Sequence, residues 1–227
     1  MPRTGGAERR AQFVATTQQL FYTKGYENTS IQDIIDAVGV SRGAFYHHFE
    51  SKQAVLESVV DGLSEQIEAI IRPILDHPTH TALEKFDNML QSLSSWKAGQ
   101  REHVLGLLRV MNSDENLPLQ HKLKAARMQF AIPAFTQIIE QGVAEGLFEL
   151  RGVSAENSAD FMFAIYNSVN QFIVALLLAS DPPANAVTLA VDKFDAAQKT
   201  IEHMLSAPAG SLTIFDQPML ERWFATP

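Results

Sequence analysis

The stretch TSIQDIIDAVGVSRGAFYHHFESK, residues 29–52, contains two short apolar repeats separated by one glycine. The apolar positions of the first repeat have helical spacing and predict a helix with one apolar stripe: Ile31, Ile34, Ile35 and Val38. Thr29 and Gln32 have the spacing of a capping box, and Gly39 is a typical helix stop. This pattern predicts a short helix that begins after Thr29 and ends at Gly39.

The second repeat predicts another short helix only two residues later. Ser41 is a suitable N-cap, and Phe45 and Phe49 lie four residues apart on one face. A glycine inside a helix costs about 1 kcal/mol relative to alanine. Gly43 and Ala44 are therefore best explained if the helix backbone must approach another surface closely. The residues left on the outer face are Arg42, Tyr46 and His47.

Two short helices joined by a tight turn predict a helix-turn-helix, whose second helix enters the major groove of double-stranded DNA. Lys52 opens the next helix, where a cation opposes the helix dipole unless a phosphate binds there. Hydroxyls at helix starts can also donate to phosphate. The predicted DNA-binding residues are Thr29, Ser30, Ser41, Arg42, Gly43, Ala44, Tyr46, His47 and Lys52. The N-terminal arginines Arg3, Arg9 and Arg10 are further candidates for the DNA backbone or minor groove.

The rest of the 227-residue chain also has helical periodicity, so the predicted fold class is all-α. We predict a DNA-binding domain at residues 1–52 and a helical ligand-binding and dimerisation bundle at residues 53–206. Residues 207–227 form an apolar tail that we expect to pack on the body of the protein or on the other subunit. We predict a long, mostly apolar helix at residues 154–180. A second long helix, at residues 184–205, carries a seam with the alternating spacing of a packed bundle.

The distribution of charge favours a DNA partner more than the net charge of −8 does. Residues 1–52 hold six basic and five acidic residues (+1), whereas the remaining 12 basic and 21 acidic residues give −9. Cysteine is absent, so neither disulfides nor thiolate sites are expected. No secretory signal is visible, and the apolar run Phe172–Ala179 is too short for a bilayer. We expect a cytoplasmic protein without a membrane partner.

The run TSIQDIIDAVGVSRGAFYHHFESKQAVLESVV, residues 29–60, resembles the DNA-binding domain of the TetR family of bacterial transcriptional regulators. The matching features are a threonine before the second helix, an Ala-x-Gly-Val turn, a Ser-basic-Gly-x-aromatic-Tyr-x-x-Phe helix, and Ser-Lys before the fourth. The resemblance covers about the first quarter of the chain. It implies an all-helical homodimer that binds a palindromic operator, most often as a repressor. It also implies a C-terminal ligand pocket and a dimer interface formed by the last two long helices.

The C-terminal region is rich in bulky, flexible side chains, most of which are expected to be ordinary core. The functional alternative is that some of them line an apolar pocket for a small-molecule effector. The predicted pocket residues are Phe86, Met89, Trp96, Met111, Met128, Phe163, Tyr166 and Asn170.

Other function classes find less support in the sequence. Neither a phosphate-binding glycine loop nor a GxSxG nucleophile motif occurs, so we predict no enzyme activity and no cofactor. His47-His48 and the pair His77 and His80 lack the spacing of a metal site, and no metal is expected. One alternative stays open, namely a ligand-binding or scaffold protein with a degenerate DNA-binding module. A second alternative is that the protein activates transcription and does not repress it.

Overall fold

The computed structural model describes residues 6–99, 101–111, 117–215 and 217–224, and within these ranges all regular structure is helical. The predicted all-α fold is therefore confirmed. The ten helices described are α1 Gly6–Lys24, α2 Ile31–Val38, α3 Arg42–His48, α4 Lys52–Leu75, α5 Ala82–Ala98, α6 Arg101–Met111, α7 Leu117–Ala144, α8 Ala155–Leu178, α9 Ala186–Leu205 and α10 Gln217–Phe224.

Helix α2 begins one residue later than the sequence pattern predicted. Its N-cap is Ser30, whose hydroxyl accepts a hydrogen bond from the Asp33 backbone N–H, while the Asp33 carboxylate accepts one from the Ser30 N–H. The predicted capping box of Thr29 and Gln32 is wrong, because the Thr29 hydroxyl is buried and donates to the Gly25 carbonyl. Gly39 ends α2 as predicted, in the left-handed conformation at φ 71° that glycine adopts without strain.

The chain forms two compact units. Unit 1 comprises the chain up to Gln66 together with Glu102–Leu123, and unit 2 comprises Ile67–Arg101 and the chain from Lys124 onward. Helix α4 contributes residues to both. The domain bounds inferred from the sequence stay a prediction.

Unit 1 has two apolar clusters. The first surrounds Phe13 of α1 and contains the apolar stripe of α2 and both inward-facing phenylalanines of α3, Phe45 and Phe49. The second packs Phe21 and Tyr26 against Leu56, Val59 and Val60 of α4. Residues of α1, α2 and α4 therefore fix α3 from its inner side.

Unit 2 has one large core drawn from α4, α5, α7, α8 and α9. Its fully buried centre includes Ile138 and Ile139 of α7, Met162 of α8 and Leu205 of α9. The end of α4 is tied into this unit, because the Leu75 carbonyl accepts hydrogen bonds from the buried Lys85 ammonium at 2.5 Å and from the Gln137 amide at 3.1 Å.

The C-terminal tail packs on α5 and α9, as predicted. Leu212, Leu220 and Trp223 are buried, and the Leu212 N–H donates to the buried carboxylate of Glu202. The ring of Phe215 stacks on Phe194 of α9, with 5.0 Å between the ring centres. Leu212 thus belongs to the core of unit 2, and Ile214 packs against it.

Helix α8 is more apolar than the sequence analysis recognised. An 18-residue window within it has a mean hydropathy of 1.7, so by length and composition alone the helix could cross a membrane. The uninterrupted apolar run Phe172–Ala179 is too short for a bilayer, but the helix that contains most of it is not. Only 22% of this window is buried within the described chain. Much of the apolar surface of α8 is therefore left uncovered.

Candidate nucleic-acid interface

Helix α3 is held in place by aromatic side chains on its inner face. Phe45 is 0% exposed and makes an edge-to-face contact with Phe13, with 6.0 Å between ring centres. Phe49 contacts the same ring at 5.7 Å, and its own ring centre lies 6.1 Å from that of Phe45. Such aromatic pairs add stabilisation beyond the buried area itself. A seven-residue helix is too short to be stable alone, so these contacts are what position it.

The outer face of α3 presents a polar and aromatic surface to solvent. Arg42, Tyr46 and His47 are all exposed, as the spacing predicted. The Arg42 guanidinium lies 5.8 Å from the centre of the Tyr46 ring, within the range of a cation–π interaction. Tyr46 is 44% exposed, which is unusual for a tyrosine on a helix held by aromatic packing. This arrangement offers a cation, a phenol and an imidazole to one partner surface.

Among the described residues, no neighbour requires glycine at position 43. Gly43 is exposed and helical, and an added Cβ would meet only the Ser41 hydroxyl, at 3.9 Å. Alanine would fit this space and would favour the helix. The glycine therefore lowers the stability of α3 without relieving any internal clash, which is consistent with close approach of an external surface. Ala44, the next residue, is half-buried.

Two serines mark the starts of helices on this side of unit 1. Ser30 caps α2, and Ser41 caps α3 by accepting a hydrogen bond from the Ala44 N–H at 3.2 Å. Both serines are exposed. The start of a helix carries partial positive charge and free N–H groups, so the start of α3 at Ser41 suits contact with a phosphate oxygen. At Ser30 both the N–H and the hydroxyl donate to the Asp33 carboxylate, at 2.7 and 2.6 Å, so neither donor is free for a phosphate.

The Lys52 side chain is partly engaged within the protein. Its ammonium donates to the Tyr26 carbonyl oxygen at 3.0 Å and lies 4.1 Å from the centre of the Tyr26 ring. An ammonium has three N–H donors, so this contact leaves capacity for a phosphate. Tyr26 was not singled out from the sequence. The only feature of the sequence that points to Tyr26 is its location immediately after Gly25, the predicted helix stop.

Two other predicted contacts are placed elsewhere by the structure. The hydroxyl of Thr29 is 1% exposed and bonded to Gly25, so it supports the turn and is not presented to a phosphate. The Arg10 guanidinium donates to the Ser58 hydroxyl at 2.7 Å and lies over the Phe49 ring. Arg9 bonds to the Gln12 side chain at the surface of α1, whereas Arg3 lies outside the described residues.

Unit 2 contains a small cavity of about 20 Å³ between α5, α7, α8, α9 and the tail. Two predicted pocket residues, Phe86 and Tyr166, line it. The others do not: Met89 and Phe163 are buried in the core, Met128 packs against it, and Trp96 and Asn170 are half-buried. The side chain of Met111 lies outside the described residues. The remaining lining residues are Leu90, Phe135, Met162, Ile165, Val169, Phe194, Ala197, Ile201 and Ile214.

The Tyr166 hydroxyl is the polar group of this cavity lining, and a positively charged side chain contacts it. The Lys97 ammonium donates to the Tyr166 hydroxyl at 3.4 Å. The charge of Lys97 lowers the pKa of Tyr166 below its ordinary value, and Arg127 adds to this effect. Three or more metal-ligating side chains do not cluster anywhere in the described part of the chain.

The arrangement of α1–α4 agrees with a match to a known family. Residues 13–59 match the model of the bacterial regulatory proteins of the tetR family. The chain is 29% identical over 147 residues to the HTH-type transcriptional repressor KstR2 of Mycolicibacterium smegmatis, which covers 63% of this chain and 68% of that protein. It is 39% identical over 67 residues to the HTH-type transcriptional regulator EthR of the same organism, covering 30% and 31% of the two chains.

Solved structures extend the similarity of the fold to nearly the whole chain. A TetR-family transcriptional regulator from Pectobacterium atrosepticum superimposes with a TM-score of 0.64 at 16% identity, covering 92% of this chain and 100% of that one. A TetR transcription regulator from Haloarcula marismortui gives 0.61 at 18% identity, covering 88% and 97%. At such identities the likeness concerns the fold alone. Residues 13–59 therefore carry the DNA-binding domain of the bacterial regulatory proteins of the tetR family, and the exposed face of α3 and the all-helical fold agree with that match.

Proposed function

We propose that this protein is a homodimeric repressor that binds a palindromic operator and is released from it by a small molecule. The observation that carries the proposal is the outer face of α3, where Arg42 and Tyr46 are exposed beside a glycine that the fold does not require. The KstR2 relative is a transcriptional repressor, which supports repression in preference to activation.

In this proposal α3 lies in the major groove. Arg42 can donate two hydrogen bonds to a guanine, and Tyr46 can contact a phosphate or a thymine methyl group. Gly43 allows the backbone to approach the bases closely. Ser41 and Lys52 contact phosphates and thereby fix the position of α3, while contributing little to sequence preference.

The uncovered face of α8 supports a homodimer. Exposed residues recur along it at alternating intervals of three and four, and most are small: Phe161, Ala164, Ser168, Gln171 and Ala175. This spacing forms one continuous stripe, and small side chains let two helices approach closely. Phe161, at one end of the stripe, is 55% exposed. A second copy of the chain would cover this stripe by symmetric packing of α8, with α9 beside it.

We propose that α4 transmits effector binding in unit 2 to the spacing of the two recognition helices. The helix begins at Lys52, beside the proposed phosphate contact, and ends at Leu75, whose carbonyl is bonded to Lys85 and Gln137. Two recognition helices must lie about 34–36 Å apart to enter successive major grooves. An effector that favours a different spacing by about 1–3 kcal/mol would weaken DNA binding 5–150-fold. If effector changed DNA affinity while the distance between spin labels on the two α3 helices stayed constant, this link would be wrong.

Fluorescence anisotropy tests the DNA-binding function directly. The DNA is the segment immediately upstream of the gene for this protein, titrated across a salt series with competitor DNA present. We expect tight binding that survives competitor and has two chains per operator. The double variant Arg42→Ala with Tyr46→Ala should lose at least about tenfold in affinity, since a well-placed base contact contributes about 1–3 kcal/mol.

The matched control is Lys199→Ala, which removes an exposed cation that is paired with Asp195 on α9 of unit 2. This variant should bind operator like the wild type. Retention of full affinity by the Arg42 and Tyr46 double variant would favour the alternative of a ligand-binding or scaffold protein with a degenerate DNA-binding module. Weak binding that salt abolishes equally for every sequence would indicate electrostatic contact only.

A further inference from the structure

We propose that the effector is an amphipathic anion, with its apolar body in the cavity of unit 2 and its charged head at Lys97, Arg127 and Tyr166. The regulatory role of this ligand rests on the proposed function, whereas its binding site follows from the residues of unit 2 alone. The shared chemistry of the ligand class is a carboxylate or phosphate on an apolar chain or ring system.

The walls of the cavity define the apolar part of the ligand. Apart from the Tyr166 hydroxyl, the lining side chains are all aliphatic, aromatic or thioether groups. They include Met162, whose flexible side chain can adapt to ligands of different shapes. A polar ligand body would lose its hydrogen bonds to water there without finding replacements. The body of the ligand must therefore be apolar.

The polar end of the cavity defines the charge of the head. Lys97 bonds to the Tyr166 hydroxyl, and neither Lys97 nor Arg127 is paired with a carboxylate among the described residues. This is unusual in a chain whose acidic residues outnumber its basic ones, 26 to 18. The Lys97 ammonium therefore places a positive charge 3.4 Å from the hydroxyl of a residue that lines the cavity. A ligand anion would supply the missing countercharge, and it could accept hydrogen bonds from both the ammonium and the phenol.

The cavity must widen to hold such a ligand, because about 20 Å³ accommodates no more than a water molecule. One wall is suited to this movement. Ile214 belongs to the tail, outside any helix, and its segment is held by the Leu212 and Thr213 N–H groups, which donate to Glu202 and Asp87. Ile214 is only half-buried, and displacing its side chain breaks no hydrogen bond within a helix, whereas Leu212 of the same segment is part of the core.

Isothermal titration calorimetry of the purified full-length protein tests the proposal without DNA. The probes share a ten-carbon chain and differ in head group: decanoate, decyl phosphate, decanol and decylammonium, all at concentrations below micelle formation. We expect decanoate or decyl phosphate to bind at least about tenfold more tightly than decanol, as a charge-assisted contact predicts. The tighter of the two anions identifies the head group.

Variants distinguish specific recognition of the anion from nonspecific hydrophobic binding. Lys97→Met should reduce the preference for anion over decanol to about threefold or less while decanol affinity changes little, and Lys97→Arg should retain the preference. The matched control is Lys193→Met, which removes a cation that lies 5.7 Å from the Phe172 ring and lines no part of the cavity. If Lys97→Met fails to fold, Arg127→Gln on the exposed guanidinium should also lower the preference.

Three results would overturn the proposal: equal affinity for decanol and both anions, an unchanged preference in the folded Lys97 or Arg127 variant, or no detectable binding of saturated carboxylates from eight to fourteen carbons. These results leave the DNA-binding function intact, since that function is measured with ligand-free protein and operator. Conversely, a failure to bind operator would not affect the measured preference for anions.

Discussion

The Lys52 ammonium lies 4.1 Å from the centre of the Tyr26 ring and donates to the carbonyl oxygen of that same residue at 3.0 Å. A single residue of the turn after α1 therefore holds the first side chain of α4 in place. The hydroxyl of Tyr26 in turn donates to Gln53, the next residue of α4. This contact sets the direction in which the lysine is presented, so Lys52 combines a structural role with the phosphate contact proposed for it.

We predict that Lys52→Gln weakens operator binding by about the same factor for every DNA sequence. Loss of one phosphate contact should reduce the slope of log affinity against log salt by about 1. Loss of the cation–π contact should also lower the free energy of unfolding by about 0.5–1 kcal/mol. The slope from anisotropy and urea unfolding measure the two effects separately. An unchanged slope, equal to that of a Lys199→Gln control, would show that Lys52 contacts no phosphate.

Gly43→Ala should separate stability from function. An alanine fits at this position and favours the helix, so the free energy of unfolding should rise by about 0.5–1 kcal/mol. Operator affinity should fall by about tenfold, equivalent to about 1.4 kcal/mol, because the added methyl group faces the DNA. Urea unfolding and anisotropy give the two quantities. If the variant is more stable and binds operator normally, the explanation of this glycine by close approach to DNA is wrong.

Gly142→Ala should have the opposite effect on stability. The Gly142 carbonyl accepts hydrogen bonds from the Leu147 and Phe148 N–H groups, and an added Cβ would lie 2.2 Å from the Phe148 ring. Phe148 is buried, so the ring has little room to move. We expect a loss of about 1–3 kcal/mol, as is typical of overpacking. Thermal unfolding measures it, and Gly106→Ala, where an added Cβ meets no atom within 4 Å, is the control.

The cap of α2 makes part of the stability depend on pH. Hydrogen bonds from Lys24 and Ser30 hold the pKa of Asp33 well below its ordinary value. Because the folded protein favours the ionised carboxylate, this contribution to stability is present above the ordinary pKa of about 4 and is lost as pH falls towards the folded-state pKa.

Asp33→Asn should therefore lower the free energy of unfolding more at about pH 6 than at about pH 2.5, as measured by urea unfolding at both values. The Lys24 ion pair is 2.7 Å long and partly exposed, so added salt should reduce part of the difference. A difference between wild type and variant that is the same at both pH values would contradict the assignment.

Tyrosine ionisation gives a direct measure of the field at Tyr166. The Lys97 ammonium lowers the pKa of this phenol, with a smaller effect from Arg127. Absorbance at about 295 nm, compared between the wild type and Tyr166→Phe, should show one tyrosine that ionises below the ordinary pKa of about 10. Lys97→Met should raise that pKa, because it removes the positive charge. If the titration of the wild type equals that of Lys97→Met, the lysine does not act on this tyrosine.

The recognition helix and its exposed face could be predicted from the sequence because both follow from local spacing. The apolar stripe of α2, the glycine stop and the pair Phe45 and Phe49 specify two short helices and their inner faces. Once those faces are assigned, Arg42, Tyr46 and His47 can only point outward. Periodicity also predicted the long helices and the burial of the tail, since seven large apolar residues in 21 positions favour packing.

The contacts of individual polar residues were decided only by the tertiary structure. Thr29 and Ser30 are adjacent hydroxyl residues, and the sequence pattern does not say which caps α2. The Thr29 hydroxyl points inward because it donates to the Gly25 carbonyl, and Ser30 is therefore the N-cap of α2. Arg10 was a candidate for DNA until the fold placed Ser58 and the Phe49 ring within its reach.

The cavity likewise depends on tertiary packing. Phe163 and Tyr166 lie three residues apart on α8, and both have the character of core residues, yet one is buried in the core and the other lines the cavity beside Lys97. Helical periodicity assigns a residue to a face of its own helix. It carries no information on which side chains of other helices meet that face, because those contacts join residues as far apart as positions 97 and 166. The sequence by itself thus determined the helices and the outer face of α3, whereas only the packing of distant segments decided where a cavity remained and which charges surround it.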